Sequence, residues 1–208
     1  MKCNLNRKII ILAAVVLAGL ISATVFISVR NTGDRIIFTV DGDPVTYDEF
    51  IMQAGMERAN VISYFQNQYK AQFTQEFWNT PYAEEYPKEK LKKVVIDKLI
   101  RTKVIKKLAL DYGIISDTSY KNFISEMKKE NKRRAKAIKD NQPVYGPKQF
   151  SIEAYYSYYM STLEVAIKNA MKAEPDQKQE MYEQLLEEKI RNAKIEIMEN
   201  ELSSIEFN

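Results

Sequence analysis

The sequence predicts a mainly helical domain with a small β-sheet formed by its N- and C-terminal strands, preceded by one transmembrane helix. An uncharged apolar run covers residues 9–29, later segments repeat apolar residues at helical spacing, and short β-type segments stand near both ends of the remaining chain. We therefore divide the chain into residues 1–30, a cytoplasmic stub with a membrane anchor or signal segment, and residues 31–208, one folded domain.

The apolar run is long enough to cross a bilayer core of roughly 30 Å at about 1.5 Å per residue. Lys2, Arg7 and Lys8 precede it, which predicts a cytoplasmic N-terminus and a domain on the outer side of the cell membrane. The alternative is a cleaved signal peptide, which would release a secreted domain. The nearest candidate cleavage site, residues 21–23, begins with a bulky isoleucine, so the sequence favours an uncleaved anchor.

Composition excludes several classes of function. The chain has no histidine and one cysteine, so the usual zinc sites, Cys/His dyads and Ser/His/Asp triads cannot form. We expect no metal and no cofactor. Four of the 31 basic residues lie in residues 1–30, which leaves 27 beside 28 acidic residues in the domain. Such a balance lacks the cationic surplus that nucleic-acid binding needs.

The order of the elements begins with a strand and a capped helix. Residues 35–40 are typical of a strand, and residues 41–44 predict a turn. Thr46 followed by Glu49 predicts a capping box, in which hydroxyl and carboxylate bind free amides at a helix start. The helix therefore begins at Tyr47 and, on its apolar pattern, continues to about Phe73.

Further capping signals divide the rest of the chain. A helix begins near Pro87 and ends at Gly113, which suits a left-handed C-cap, and it carries a broad apolar face. Ser116 and Ser151 are predicted N-caps of the next two helices, and a last helix covers about residues 177–192. Residues 193–197 alternate apolar and charged side chains like an edge strand, which we expect to pair with Ile36–Val40.

Several of these motifs occur in the order found in a known family. The string VDGDPVTYDEF at residues 40–50 resembles the opening of SurA/PrsA-type foldases, and residues 91–117 and 193–197 are similar to that family's central helix and returning strand. The resemblance implies a peptide-binding module that assists the folding of exported proteins. Family members often insert a parvulin-type prolyl isomerase domain before the last helix, where this chain has only residues 173–177, and parvulin histidines are impossible here.

Two sets of aromatic residues are candidates for peptide binding. The first is an aromatic stripe at four-residue spacing, which either lines a groove for unfolded segments or packs in the core. The second is a group of tyrosines off the inward row of the fourth long helix, which we expect to be partly exposed. The two sets are, respectively, Phe65, Tyr69, Phe73, Phe77 and Trp78, and Tyr155, Tyr158 and Tyr159.

A basic run follows Met127 and is predicted to project into solvent. It either contacts anionic lipid headgroups or wall polymers, or is a solvated helix face. Its cations are Lys128, Lys129, Lys132, Arg133, Arg134 and Lys136.

The resulting hypothesis is a non-catalytic, membrane-anchored chaperone that binds unfolded or extended exported polypeptides. The alternative is an envelope scaffold that binds one folded partner. A third hypothesis is a peptidyl-prolyl isomerase, which the absence of histidine and of space for a parvulin domain disfavours.

Overall fold

A computed structural model describes residues 32–207 of the chain. The chain divides into two units, Met1–Arg35 and Ile36–Asn208, of which the first contributes only a 3₁₀ turn at Thr32–Asp34 to the described part. The predicted membrane segment lies outside the described residues. Within residues 32–207, each helix is too short or too polar to cross a bilayer.

The second unit is mainly helical with one three-stranded sheet. Its strands and helices follow the chain in the order β1 Ile36–Val40, β2 Asp43–Thr46, α1 Tyr47–Tyr69, α2 Pro87–Asp111, α3 Tyr120–Lys139, α4 Ile152–Ala170, α5 Lys178–Asn192, β3 Ile195–Ile197 and α6 Glu199–Ser203. A 3₁₀ turn, Phe77–Asn79, lies between α1 and α2. Residues 171–177 alone join α4 to α5.

The sheet has β1 at its centre, with β2 and β3 antiparallel on either side. The pairs Phe38↔Ile197 and Val40↔Ile195 confirm the predicted pairing of the two distant strands. The Asp41 amide donates to the Lys194 carbonyl at 2.9 Å, and the Lys194 amide donates to the Asp41 carboxylate at 2.8 Å. These bonds join residues that stand 153 positions apart in the sequence.

The turn before α1 is shorter than predicted. Asp41 and Gly42 have φ values of 50° and 81°, as a two-residue hairpin turn requires, and pairing resumes at Asp43. Pro44 therefore lies in β2, on the edge of the sheet, where a residue without an amide proton is tolerated. The predicted extension of the turn through Pro44 was wrong.

Helix α1 begins as predicted and ends earlier. The Glu49 amide donates to the Thr46 hydroxyl at 3.4 Å, which confirms the N-cap. Lys70 has a left-handed φ of 56°, and its amide donates to the Gln66 carbonyl at 3.1 Å, closing the helix. The predicted continuation to Phe73 is wrong, because the chain leaves the helix axis at Lys70 and returns to the core through the Phe77–Asn79 turn.

Helix α2 is central and contacts α1, α4 and α5. Leu91, Val95 and Leu99, the predicted apolar row, are fully buried. At its C-terminus Gly113 has a φ of 69°, the Gly113 amide donates to Leu110, and the Ile114 amide donates to Ala109 at 2.8 Å. This pair of bonds is a Schellman motif and confirms Gly113 as the left-handed cap.

One of the two later N-caps was predicted correctly. The Ala154 amide donates to the Ser151 hydroxyl at 3.2 Å, so Ser151 caps α4. Ser116 does not cap α3. The Asn122 amide donates to the Ser119 hydroxyl at 3.1 Å, and Asp117 accepts from the Ser119 amide at 2.7 Å. The Asp117 turn thus moves the helix start three residues along the chain.

The residues after α6 pack into the core. Sequence patterns did not predict this role for them. After α6, Ile205 and Phe207 are buried, and the Phe207 ring centroid lies 5.8 Å from that of Trp78. Trp78 is 1% exposed. The tail therefore packs against the turn that follows α1.

We expect Phe207→Ala to lower the free energy of unfolding by about 3 kcal/mol, because it leaves a cavity in a packed core. It also uncovers one side of Trp78, the chain's single tryptophan, whose emission should shift to longer wavelength. Denaturant unfolding followed by fluorescence measures both effects. Tyr145→Ala is the control, because Tyr145 is 87% exposed. Equal losses in the two variants would contradict the prediction.

Candidate binding groove

A second apolar cluster, separate from the principal core, joins α3 to α4. Its buried members are Phe123, Phe150 and Tyr155. The Tyr155 ring lies 5.4 Å from Phe123 and 5.5 Å from Phe150, measured between centroids. Tyr155 is 5% exposed, and burial raises the pKa of its hydroxyl to about 12. The prediction that Tyr155 is partly exposed is wrong, because α3 and Phe150 cover this ring.

The other two tyrosines of the set retain accessible surface. Tyr158 is 48% exposed, and one face of its ring stacks on Phe150 at 5.3 Å. Tyr159 is half-buried, with its ring 5.5 Å from that of Phe123. Both rings are fixed on one side by aromatic contacts, so contact with another chain would cost these two tyrosines little further side-chain entropy.

Two adjoining concavities lie beside these tyrosines. One, of about 420 Å³, lies between the Gly113–Ser116 segment, α3 and α4; the other, of about 340 Å³, follows the α3–α4 seam. They adjoin because Glu126 and Tyr155 line both. We call the combined feature the tyrosine groove; its other lining residues are Gly113, Ile114, Ile115, Ser116, Asn122, Lys129, Glu130, Arg133, Tyr158 and Tyr159.

The wall formed by the α2–α3 connection is held by buried charges. The Lys106 ammonium donates to the Thr118 carbonyl at 3.3 Å and lies 3.5 Å from the Glu49 carboxylate. Lys103 lies 3.0 Å from Glu49 and 3.4 Å from Asp43. Burial lowers the pKa of Lys106, and the Glu49 carboxylate opposes that shift. The charges therefore join β2, α1 and α2 to the groove wall.

Sequence reasoning missed this charge cluster. It assigned the Glu49 carboxylate to the capping box, whereas the structure turns that group toward Lys103 and Lys106. A signal was present, since the two lysines stand three residues apart beside Val104, Ile105 and Leu108 on the central helix. Lysines within an apolar pattern require a buried partner.

The predicted basic run has one buried member. Arg134 is buried, and its guanidinium lies 4.3 Å from the Phe150 ring centroid and donates to the Tyr145 and Pro147 carbonyls at 2.9 and 2.7 Å. Both alternatives, contact with an external surface and a solvated helix face, are wrong for Arg134, because the α3–α4 loop covers it and uses its donors. The remaining cations, Lys128, Lys129, Lys132, Arg133 and Lys136, are exposed.

Two exposed cations at the groove are paired with acidic neighbours. Lys129 lies 2.6 Å from Glu126, and Arg133 donates two bonds of 2.7 Å to Glu130. The guanidinium lowers the pKa of Glu130, which stays ionised at neutral pH. The groove therefore has tyrosine rings on its α4 side and charge pairs on its α3 side.

The aromatic stripe is not one helical surface. Phe65, Phe77 and Trp78 are buried in the principal core, with Phe65 and Phe77 centroids 5.9 Å apart. For these three residues the core-packing alternative is correct, since a buried ring offers no surface to a peptide. Tyr69 is half-buried and Phe73 is 52% exposed, so binding by these two stays a prediction. The structure places the stripe in a different cluster from Tyr155.

Two tyrosine hydroxyls, one in the aromatic stripe and one beside it, bind the loop that precedes α2. Tyr64 and Tyr69 donate to the Glu85 carboxylate at 2.8 and 3.1 Å. The Tyr64 bond is the main reason that the pKa of Glu85 lies below 4.5. The loop before α2 is thereby held against α1.

Acidification should weaken this attachment. Because the folded-state pKa of Glu85 is lowered, its stabilising contribution is fully present above pH 4.5 and is lost as the pH falls through the lowered value. We expect Glu85→Gln to reduce stability most above pH 4.5, with the difference from the wild type shrinking on acidification. Denaturant midpoints across that range measure this. A difference that is constant with pH would contradict it.

Removing the cation beneath the groove wall should be costly. We expect Lys106→Met to lower the free energy of unfolding by about 3 kcal/mol, because Glu49 stays buried with one partner fewer. Lys107→Met is the matched control: Lys107 is exposed and pairs with Asp111 at 2.7 Å, so its loss should cost less than about 1 kcal/mol. Denaturant unfolding distinguishes them, and similar losses would refute a structural role for Lys106.

Comparison with known proteins finds similarity over part of the chain. A protein described as "Chaperone for lacto-N-biosidase" from Bifidobacterium longum subsp. longum is 28% identical over 122 residues, which are 59% of this chain and 42% of that protein. The matched segment thus spans less than half of that relative. No solved structure matches the chain. The model of the SurA-like N-terminal domain matches residues 4–142, more than half of the chain, so the chain belongs to the SurA-like N-terminal domain family, as its motif order predicted.

Proposed function

We propose that this chain is a non-catalytic chaperone that binds extended segments of exported polypeptides in the tyrosine groove. The observation that carries the proposal is the pair of adjoining concavities, of about 420 and 340 Å³, whose accessible rings are those of Tyr159 and Tyr158. Family membership and the relative named as a chaperone support the same role. We further propose that residues 9–29 anchor the domain at the outer face of a bacterial membrane.

The chemistry of the groove suits weak binding of varied segments. Tyr158 offers a flat ring whose far side is already packed on Phe150, and tyrosine combines apolar area with a hydroxyl. The rim pairs of Arg133 with Glu130 and Lys129 with Glu126 keep both signs of charge available to a passing chain. Because the concavities are shallow and lie at the surface, a bound segment would stay partly solvated and leave readily.

The proposed activity is non-covalent binding of a polypeptide segment, in which no covalent bond is made or broken. The chain has no histidine, and residues 32–207 contain no cluster of acidic residues and cysteine able to hold a metal ion. The groove's two carboxylates, Glu126 and Glu130, are engaged with Lys129 and Arg133. Shielding an apolar segment from aggregation needs none of these groups to react.

A client-dedicated chaperone is the second candidate. The relative's name assigns it one enzyme as its client, which favours a chaperone that serves one exported protein over a general one. A general chaperone and a dedicated one differ in how many unfolded proteins they protect. The purified chain should suppress aggregation of several unrelated unfolded proteins at stoichiometric amounts in the general form. In the dedicated form it should protect one partner only, and suppression of none would contradict both.

Tyr158 provides the test of the groove itself. We expect Tyr158→Ala to weaken binding of an unfolded model client about tenfold, a typical effect of removing an aromatic anchor. The melting temperature should change little, since half of this side chain is exposed. Fluorescence anisotropy of a labelled, reduced and unfolded client measures the affinity.

The matched control is Tyr145→Ala, which removes a more exposed tyrosine outside the groove. This variant should bind the client as the wild type does. Equal weakening by the two substitutions, or none by Tyr158→Ala, would place binding elsewhere on the domain.

A further inference from the structure

The sheet has an open edge on the far side of β3. Strand β1 is bonded to β2 on one side and to β3 on the other, and within residues 32–207 no further strand lies beside β3. Ile197 and the following Met198 are each 37% exposed, and Glu196 is exposed as well. The side of β3 that faces away from β1 is therefore accessible to another chain.

The hydrogen bonds to β1 fix which backbone groups of β3 point to this open edge. The Lys194 carbonyl accepts a bond from the turn after β1, and the Met198 amide donates one to β1, both at 2.9 Å. Alternate residues of an antiparallel strand bond to the same neighbour, so Glu196 also faces β1. The amides and carbonyls of Ile195 and Ile197 therefore point outward, and residues 32–207 offer them no partner.

The two faces of β3 differ in character. Ile195 and Ile197 stand directly opposite buried apolar residues of β1, so their side chains extend the apolar face of the sheet. Lys194 and Glu196 lie on the other face, where both are exposed and form an ion pair at 2.6 Å. A strand added at the open edge would thus meet an apolar row on one face and a charged row on the other.

The charged row is complementary to itself in one antiparallel register. With Ile195 opposite Ile195 of a second copy, Lys194 of each copy lies opposite Glu196 of the other, and Ala193 lies opposite Ile197. The two nearest registers that keep the outward amides paired place Glu196 opposite Glu196, or Lys194 opposite Lys194. Opposite charges stabilise a cross-strand pair and like charges destabilise it, so the charges select the first register.

The same register uses the outward backbone groups. The two Ile195 residues would exchange amide-to-carbonyl bonds, and each Ile197 amide would donate to the Ala193 carbonyl of the other copy. The Ala193 amide is already bonded within the last turn of α5. Asn192 and Met198, which flank the paired residues, are exposed, so both ends of the edge are accessible.

We propose that two copies of this chain pair through the open edge of β3 and form one continuous antiparallel sheet. Charged side chains on an edge strand oppose pairing with an arbitrary strand, and here their order accepts a second copy. A client strand of unrelated sequence would leave Lys194 and Glu196 without opposite charges. The interface is distinct from the tyrosine groove, because no residue of β3 lines that groove.

Charge exchange between copies tests the proposal with the full chain in phospholipid vesicles. Copies labelled with donor or acceptor fluorophores at Cys3, the single cysteine, should show energy transfer. Lys194→Glu and Glu196→Lys should each weaken association about tenfold, because each places like charges opposite one another. Donor-labelled Lys194→Glu mixed with acceptor-labelled Glu196→Lys should regain the transfer, although the ion pair within each copy stays broken. Unchanged transfer in the single variants, or no recovery in the mixture, would overturn the proposal.

Cross-linking tests the register. In a Cys3→Ser background, Ile195→Cys places two thiols on directly opposite residues, whose Cα atoms would lie about 5.5 Å apart. Ile197→Cys is the matched control, because its two copies would be offset by four residues along the strands, or about 13 Å. A short bismaleimide should therefore link Ile195→Cys and not Ile197→Cys, even though Ile197 is the more exposed residue. Preferential linking at position 197 would contradict the register.

A backbone variant separates pairing of copies from client binding. Ile195→Pro removes an amide that faces away from β1, so it should abolish energy transfer between copies while the melting temperature changes little. Ile195→Val keeps the amide and should retain the transfer. Binding of an unfolded model client should be the same in both variants. If Ile195→Pro weakened client binding and left the transfer intact, the edge would receive client strands and the proposal would fail.

Discussion

The burial of Glu49 between Lys103 and Lys106 constrains the relative positions of most elements that form the groove. A carboxylate with almost no exposed surface is tolerable only while both cations stay in place. Lys106 also binds the Thr118 carbonyl, so the same charges that fix α1 against α2 fix the chain that leads into α3. The groove wall at Gly113–Ser116 lies between the Schellman cap of α2 and this bond, and both of its ends are held.

Helix α4 contributes side chains to two separate apolar clusters. Met160, Leu163 and Ile167 belong to the principal core, whereas Tyr155 belongs to the cluster with Phe123 and Phe150. Helix α3 is attached through that smaller cluster and through the polar bonds of its own loop. An element with few buried apolar residues opens more easily than a central helix. The groove thus lies where a central helix meets a more loosely attached one.

Local signals predicted much of this fold, and their limits have identifiable causes. Thr46, Gly113 and Ser151 act through neighbours three to five residues away, so their roles are readable from sequence. The pairing of β1 with β3 was also predicted, from the alternation of residues 193–197. Lys70 was missed because a lysine in the left-handed region carries no sequence signal comparable to glycine. Tyr155 and Arg134 were misplaced because their partners, Phe123 and the loop carbonyls, come from other elements.

The scaffold and the proposed recognition chemistry come from different parts of the chain. The family match ends at residue 142, within the loop after α3, while the tyrosines of the groove lie on α4. The matched part supplies the charge pairs of α3, the capped helix α2 and the buried lysines that hold the α2–α3 connection. Rings on α4 then supply apolar contact area opposite the charge pairs of α3. The groove thus combines charge pairs from α3 with tyrosine rings from α4 that are held in place by Phe123 and Phe150.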